Sequence, residues 1–329
     1  MCIRDRQEES SRPCSRLTSC FDGGVLRRAF FKSPMRFFLP LPWLLAITLV
    51  SCAELPQAFN RSELAMPVPA GPAVKIGTIP RAPVPQIGAP RAIVVDYTSG
   101  RVLYEKNARE RCAVASTQKL LTALCVMDHG NLTHKFTIEK SDTWVVPTKL
   151  GILPGEVYSR RALLGALLVK SGNDVARALA RSVAGSETNF SNVMNQKARN
   201  LGMHDSRFLN PHGLTATGQY STAYDMALCA RAAFDSSTLR GIMNTETYTF
   251  RFANGRSKRL DNTNKVLKKV HYCNGMKTGT TRASGRCLVS SGTLNGRTAI
   301  VVILGATSRN VWSDSEKLLR WALERPAAN

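Results

Sequence analysis

The stretch AVASTQKLLTALCVMDHG, residues 113–130, decides how this chain folds. Seven of the eight residues from Leu120 to Met127 are apolar, Thr122 being the exception. A helix that is apolar on every side is buried on every side. Ser116 and Lys119 stand three apart at its front, so both side chains lie on one face of the first turn. A lysine opening a buried helix needs a partner or a task, because an unpaired buried charge is costly. Alone, a Ser-x-x-Lys is a frequent accident in which the lysine reaches out to water. Its meaning depends on what flanks it.

On the N-terminal side, Arg91–Asp96 (RAIVVD) and Arg101–Glu105 (RVLYE) read as strands joined by the hairpin signal Tyr97-Thr98-Ser99-Gly100. On the C-terminal side Gly130 ends the helix, and residues 131–158, with Pro147, Pro154 and several glycines, read as irregular. Ala162–Val169 is a second buried helix that delivers the chain to Ser171-Gly172-Asn173. Val175, Leu179 and Val183 mark a third, and Phe190–Leu201, closed by Gly202, a fourth. Asn210-Pro211-His212-Gly213 is a tight loop, and Ser221–Phe234 a further helix capped by Ser221 or Thr222. Strands return at Tyr272–Thr280, Cys287–Ser291 and Thr298–Leu304. The last two are joined across Asn295-Gly296, the strongest short hairpin signal. A final helix is expected from Ser313, with Glu316 completing a capping box. Strands at both ends around a helical middle predict an α+β fold, an antiparallel sheet of N- and C-terminal strands carrying a helical lobe.

The 45 basic and 23 acidic residues leave a net charge of +22, which calls for an anionic partner. The basic residues are scattered, the densest groups being pairs such as Arg27-Arg28 and Lys268-Lys269, and no nucleic-acid-binding signature is present. Nucleic acid is therefore set aside in favour of an acidic cell envelope. Nine cysteines show no Cys-x-x-Cys pair, so neither a metal site nor a disulfide framework is expected. Cys125, Cys229 and Cys287 read as small core hydrophobes.

Ahead of the folded part, residues 1–34 are polar and without periodicity, and read as a non-native or unstructured leader with Met35 as the true start. Residues 35–51 read as a lipoprotein signal peptide. Arg36 precedes the apolar run Phe37–Val50, which is too short for a comfortable membrane span. Its ending, Leu49-Val50-Ser51-Cys52, resembles the bacterial lipobox, which implies lipidation of Cys52. Residues 52–90 hold eight of the sixteen prolines and read as a semi-rigid tether. Residues 91–329 form the expected folded domain.

Three motifs stand in order: Ser116-x-x-Lys119 opening a buried helix, Ser171-x-Asn173 between helices, and Lys277-Thr278-Gly279 on a strand followed by a hairpin. A second Ser-x-Asn, at Ser308, falls after the Lys-Thr-Gly and is out of order. With these contexts the chain resembles the penicillin-recognising serine transferases. Asn210–Leu214 (NPHGL), Tyr220–Asp225 (YSTAYD) and Gly275–Gly279 (GMKTG) narrow the resemblance to the low-molecular-mass D-alanyl-D-alanine carboxypeptidases, over residues 91–325.

That resemblance implies an enzyme that removes the terminal D-alanine from peptidoglycan stem peptides through an acyl-serine, binds β-lactams covalently and needs no cofactor. It implies catalytic roles for Ser116, Lys119 and Ser171, and substrate binding by Asn173, Lys277, Thr278, Gly279 and Thr280. The oxyanion hole would be the backbone N–H groups of Ser116 and Thr280. Family members commonly carry a β-rich domain and a C-terminal membrane helix; here the expected lipid on Cys52 takes over as the membrane anchor, on the periplasmic face or the cell surface. They also often place an arginine near the start of the final helix to hold the substrate carboxylate, and Arg309 is the nearest candidate.

The chemistry suits those residue types. A serine hydroxyl needs a base, and Lys119 can serve only if burial and the nearby charge of Lys277 push its pKa down. Ser171 can relay a proton from Lys119 to the leaving amine, and Asn173 can bond both Lys119 and a substrate carbonyl. Lys277 and Thr278 offer a cation and a hydroxyl to a carboxylate, and Gly279 leaves room for substrate to lie along the strand. The same residues would serve a peptidoglycan DD-endopeptidase. A serine β-lactamase would add a deacylating glutamate, but residues 203–218 hold only Asp205, and Glu187 reads as a helix-start charge. A non-catalytic wall-binding lipoprotein would not need Ser116, Lys119 and Lys277 intact. His204 and His212 read as loop histidines.

Overall fold

The central strands carry continuous apolar runs, such as Ala92–Val95 and Ala299–Leu304, rather than an alternation, so the sheet must be covered on both faces. In the computed structural model, which describes residues 83–324, the chain opens with strands β1 (Arg91–Asp96) and β2 (Val102–Lys106). A 3-10 turn, Ala115–Gln118, runs directly into α1 (Lys119–Asp128). A small hairpin, β3 (Lys135–Thr137) and β4 (Val157–Ser159), precedes the helices α2 (Arg160–Lys170), α3 (Asn173–Ala184), α4 (Glu187–Asn200), α5 (Ala223–Asp235) and α6 (Ser237–Met243). A second small hairpin, β5 (Thr247–Arg251) and β6 (Ser257–Asp261), leads to β7 (Cys273–Thr281), β8 (Gly285–Leu294), β9 (Arg297–Ala306) and α7 (Asn310–Leu323). The expectations for residues 1–34, 35–51, Cys52 and most of the tether lie outside the described residues.

The main sheet is antiparallel, in the order β2-β1-β9-β8-β7, so strands from both ends of the chain pair at its centre. Ile93, Val95, Val289, Ile300 and Val302 face the helical lobe, whereas Ala92, Val94, Leu288, Val301 and Ile303 face α7. The Asn295-Gly296 turn has both residues at positive φ (50° and 73°), the geometry that two-residue hairpins demand. On the lobe side, every residue of α1 from Lys119 to Val126 is buried. Ser159, Ser186, Thr222 and Ser236 cap α2, α4, α5 and α6 by accepting a backbone N–H of the first turn.

The α+β architecture is the one expected, with three local differences. Residues 131–158 are not wholly irregular, because β3 pairs with β4 across them. The final helix begins at Asn310 rather than Ser313, and there is no capping box: Ser313 donates its hydroxyl to the Asn310 carbonyl inside the first turn, and Glu316 pairs with Arg320. Thr307 accepts the Asn310 N–H instead. Finally, the end of the proline-rich segment is docked. Ala89 is fully buried and donates its N–H to Asp314 Oδ2 at 2.8 Å. Cys112, Cys125, Cys229, Cys273 and Cys287 are unpaired thiols.

Candidate active site

Ser116 sits in the 3-10 turn ahead of α1, and the backbone around it is pressed into shape. Ala115 adopts φ 50°, a left-handed conformation that a non-glycine residue keeps only when its surroundings impose it. Gly213 imposes it: a Cβ added there would lie 2.1 Å from the Ala115 carbonyl oxygen. The loop that carries Gly213 is stapled by Asn210, whose Oδ1 accepts the Gly213 N–H and whose Nδ2 donates to the Leu214 carbonyl. Thr122 of α1 donates to the Pro211 carbonyl at 2.7 Å.

Lys119 is completely buried. Its Nζ lies 2.9 Å from Ser116 Oγ, 2.7 Å from Asn173 Oδ1 and 2.6 Å from the His212 carbonyl oxygen. Burial, reinforced by Lys277 and opposed by Asp174, holds its pKa well below the ordinary 10.5. A neutral amine has two N–H bonds and one lone pair. The Asn173 and His212 oxygens can only accept, so they take both N–H groups and leave the lone pair to Ser116. Asn173 keeps its oxygen toward Lys119 because its Nδ2 donates to the Pro147 carbonyl at 2.6 Å. Next to it, the buried Asp174 carboxylate accepts the N–H groups of Leu150 and Gly151, which ties the 147–151 loop to α3. Ser171 closes α2 in a left-handed conformation (φ 68°) and is 7% exposed.

The facing wall is β7, the last strand of the sheet. Lys277 is also fully buried, donates to the Thr278 carbonyl at 2.9 Å, and is pushed down to about 7 by burial. Thr278 donates its hydroxyl to Thr263 Oγ1 at 2.7 Å. Gly279 passes so close to the elbow that an added Cβ would lie 2.8 Å from the Ser116 nitrogen and 3.0 Å from that of Thr117. Thr280 pairs in register with Arg286 of β8, whose guanidinium donates to Thr280 Oγ1 and Ser308 Oγ, each at 3.2 Å. Arg309 is the exposed N-cap of α7. The arginine that reaches the Lys-Thr-Gly strand is therefore Arg286, which no local pattern marks because it becomes a neighbour only through strand register.

His212 also departs from expectation. The ring is 7% exposed, its Nδ1 accepts the Leu214 N–H at 3.2 Å, and its Nε2 meets Glu187 Oε1 at 3.1 Å. Burial, with Lys119 and Arg177, outweighs the pull of Glu187 and holds the imidazole below its ordinary value of 6.5, so it is neutral at neutral pH. Glu187 does open α4, but it also binds Arg177 Nε at 3.0 Å. His204 is exposed, and Asp205 pairs with Arg111. Among the described residues, no group of three or more His, Cys, Asp or Glu is placed to hold a metal ion.

A family model described as D-alanyl-D-alanine carboxypeptidase matches residues 78–308. The D-alanyl-D-alanine carboxypeptidase DacC of Escherichia coli is 38% identical over 252 residues, covering 72% of this chain and 62% of that one. DacF of Bacillus subtilis, of the same name, is 33% identical over 225 residues, covering 67% and 58%. The chain thus spans about six tenths of the length of these two relatives. The crystal structure of the Streptomyces K15 DD-transpeptidase matches with a TM-score of 0.70 at 31% identity, over 73% of this chain and 98% of that one.

Proposed function

Because the chain belongs to the D-alanyl-D-alanine carboxypeptidase family, we propose that it is a serine-type enzyme removing the terminal D-alanine from peptidoglycan stem peptides. The observation that carries the reading is the set of three oxygens around Lys119 Nζ, one of them the Ser116 hydroxyl. In this reading Lys119 takes the Ser116 proton as Oγ attacks the carbonyl of the penultimate D-alanine. The developing oxyanion is held by the N–H groups of Ser116 and Thr280. The proton passes by way of Ser171 to the leaving D-alanine, and water then releases the acyl group. Lys277, Thr278 and Arg286 receive the terminal carboxylate, while Asn173 and the backbone of Gly279 and Thr280 align the peptide.

β-Lactams enter the same site and acylate Ser116. Rapid release of that adduct needs a free base beside it. Asp174 is bonded to the Leu150 and Gly151 N–H groups, and Glu187 has both oxygens engaged, one by His212 and one by Arg177. Although burial raises the Glu187 pKa, the hydrogen bond from His212 and the charge of Arg177 outweigh that and hold it below its ordinary value. A carboxylate so held is a poor base, and penicillin acts as a trap.

Intact-mass spectra after a penicillin pulse, run alongside a D-alanine assay on a pentapeptide ending in D-Ala-D-Ala, test the reading. The expected result is an adduct on Ser116 that survives for minutes, with release of free D-alanine. Loss of the adduct within seconds and no D-alanine would instead indicate a β-lactamase. The place of action in this reading is the cell envelope, with the protein held to a membrane by acyl chains on Cys52. A Cys52→Ala variant should move to the soluble fraction, and one that stays on membranes would rule out the lipid.

A further inference from the structure

The most unexpected contact beneath the nucleophile involves a carboxylate outside the three motifs. The His212 carbonyl makes the shortest of the bonds to Lys119 Nζ, at 2.6 Å, and it also lies 3.2 Å from Ser116 Oγ. The direction of that carbonyl therefore sets where the amine of Lys119 points its lone pair. The His212 carbonyl shares its peptide plane with the Gly213 N–H, which Asn210 Oδ1 holds at 2.8 Å on one side, and Gly213 itself has φ 84°. The ring of the same residue supplies a second anchor, on the other side of the plane. It is tied at Nδ1 within its own loop, to Leu214, and at Nε2 to Glu187, 25 positions earlier on α4. Glu187 is in turn braced by Arg177 of α3, which donates to the Trp144 carbonyl at 2.8 Å.

From this geometry we infer that Glu187 and His212 are positioning residues, a carboxylate–imidazole strut that aims the His212 carbonyl and thereby orients Lys119 onto Ser116. The inference rests on the reading of Ser116 as nucleophile and Lys119 as base. Neither Glu187 nor the imidazole touches substrate, so their loss slows the proton transfer without weakening the binding that precedes it. The charged groups that act on Lys119 are Lys277 from β7 and Asp174 from α3, with His212, Glu187 and Arg177 arrayed behind its carbonyl partner. Losing the carbonyl acceptor removes a partner of the protonated amine, so the acid limb of the pH–rate curve moves to lower pH as the plateau falls.

Stopped-flow acylation of the full chain by a fluorescent penicillin, run against concentration and pH, separates these effects. Glu187→Ala should lower the limiting acylation rate by roughly 10- to 100-fold, the range a misplaced catalytic group produces, while the half-saturating concentration stays put. Its acid limb should shift downward. Glu187→Gln, which keeps an oxygen for His212 Nε2–H, should recover the rate to within about threefold. Should Glu187→Ala fold poorly, Arg177→Met removes the brace while leaving the strut, and should slow the plateau by a smaller factor. A Glu187→Ala plateau equal to wild type, or a Gln variant as slow as the Ala one, would overturn the proposal. Wild-type protein that takes up no penicillin would overturn the reading beneath it, and the strut with it.

Discussion

Lys119 and Lys277 are both completely buried, and they stand on opposite walls of one cleft in opposite conditions. On the helical wall, Lys119 is bonded to three oxygens from three separate segments, one of which is itself braced through a ring and a carboxylate. On the sheet wall, Lys277 makes a single hydrogen bond among the described residues, to the carbonyl of the next residue. The first wall is closed upon itself, which in the proposed reading fixes the atom that transfers a proton. The second keeps donors in reserve, which in the same reading suits a ligand that comes and goes. Pre-organisation and recognition thus occupy different secondary structures, and each wall can be damaged separately.

The largest effect should come from the closed wall. Ser116→Ala should abolish penicillin labelling, and Lys119→Ala should slow it by about a thousandfold or more while the fold survives. Labelling that persists in Ser116→Ala would move the nucleophile elsewhere. Next is Gly213→Ala, whose new methyl group collides with the Ala115 carbonyl at a backbone angle that disfavours any side chain. Acylation should fall roughly 100-fold, because the nucleophile is displaced, and the melting temperature should fall with it. A near-normal rate would mean the elbow is not held by this contact.

The open wall should respond more gently and with a different signature. Arg286→Ala should cost roughly 10- to 100-fold in kcat/KM on a peptide acid, the worth of a charged hydrogen bond, and far less on the matching peptide amide. Arg309→Ala should change neither; if it proves the more harmful variant, the carboxylate lies closer to α7 than to β8. The smallest effect is that of pH. With its pKa at about 7, Lys277 is about nine-tenths charged at pH 6 and one-tenth at pH 8. Affinity for a peptide acid should therefore weaken up to about tenfold over that interval, while the acylation rate, governed by neutral Lys119, holds or rises. The same shift affects stability. Unfolded, Lys277 titrates near 10.5, so between about 7 and 10.5 the folded state binds fewer protons and stability climbs with pH. Lys277→Met should flatten that slope in urea titrations at pH 7 and 10, and an unchanged slope would mean the charge is better solvated than its burial implies.

How much of this was legible beforehand follows from where each constraint lies. The helix of Leu120–Met127 and the Asn295-Gly296 hairpin are determined by residues adjacent in sequence, and both formed as read. The pairs β3–β4 and β5–β6 are short and rich in exposed polar residues, so no period-two signal distinguished them from loop. Ser313 satisfied a capping pattern that Thr307 and Asn310 pre-empted. At the site, ordered motifs brought out Ser116, Lys119, Asn173 and Lys277, which the fold gathers into one cleft. Thr263, Arg286 and the Glu187–His212 pair had no such signal, since each acquires its partner only through tertiary packing.

The pairing of β1 with β9 carries a kinetic consequence. Arg91 lies opposite Leu304, so the centre of the sheet joins positions more than two hundred apart. Closing so long a loop costs entropy before any contact rewards it, and folds dominated by such pairings assemble slowly. During synthesis, the helical lobe can gather as soon as its residues emerge. The sheet waits for β9, and β7 settles against Ser116 only as the sheet completes. The elbow therefore meets its strand at the end of folding, and a chain cut short before residue 297 would keep its serine and lysine yet have no finished cleft in which to use them.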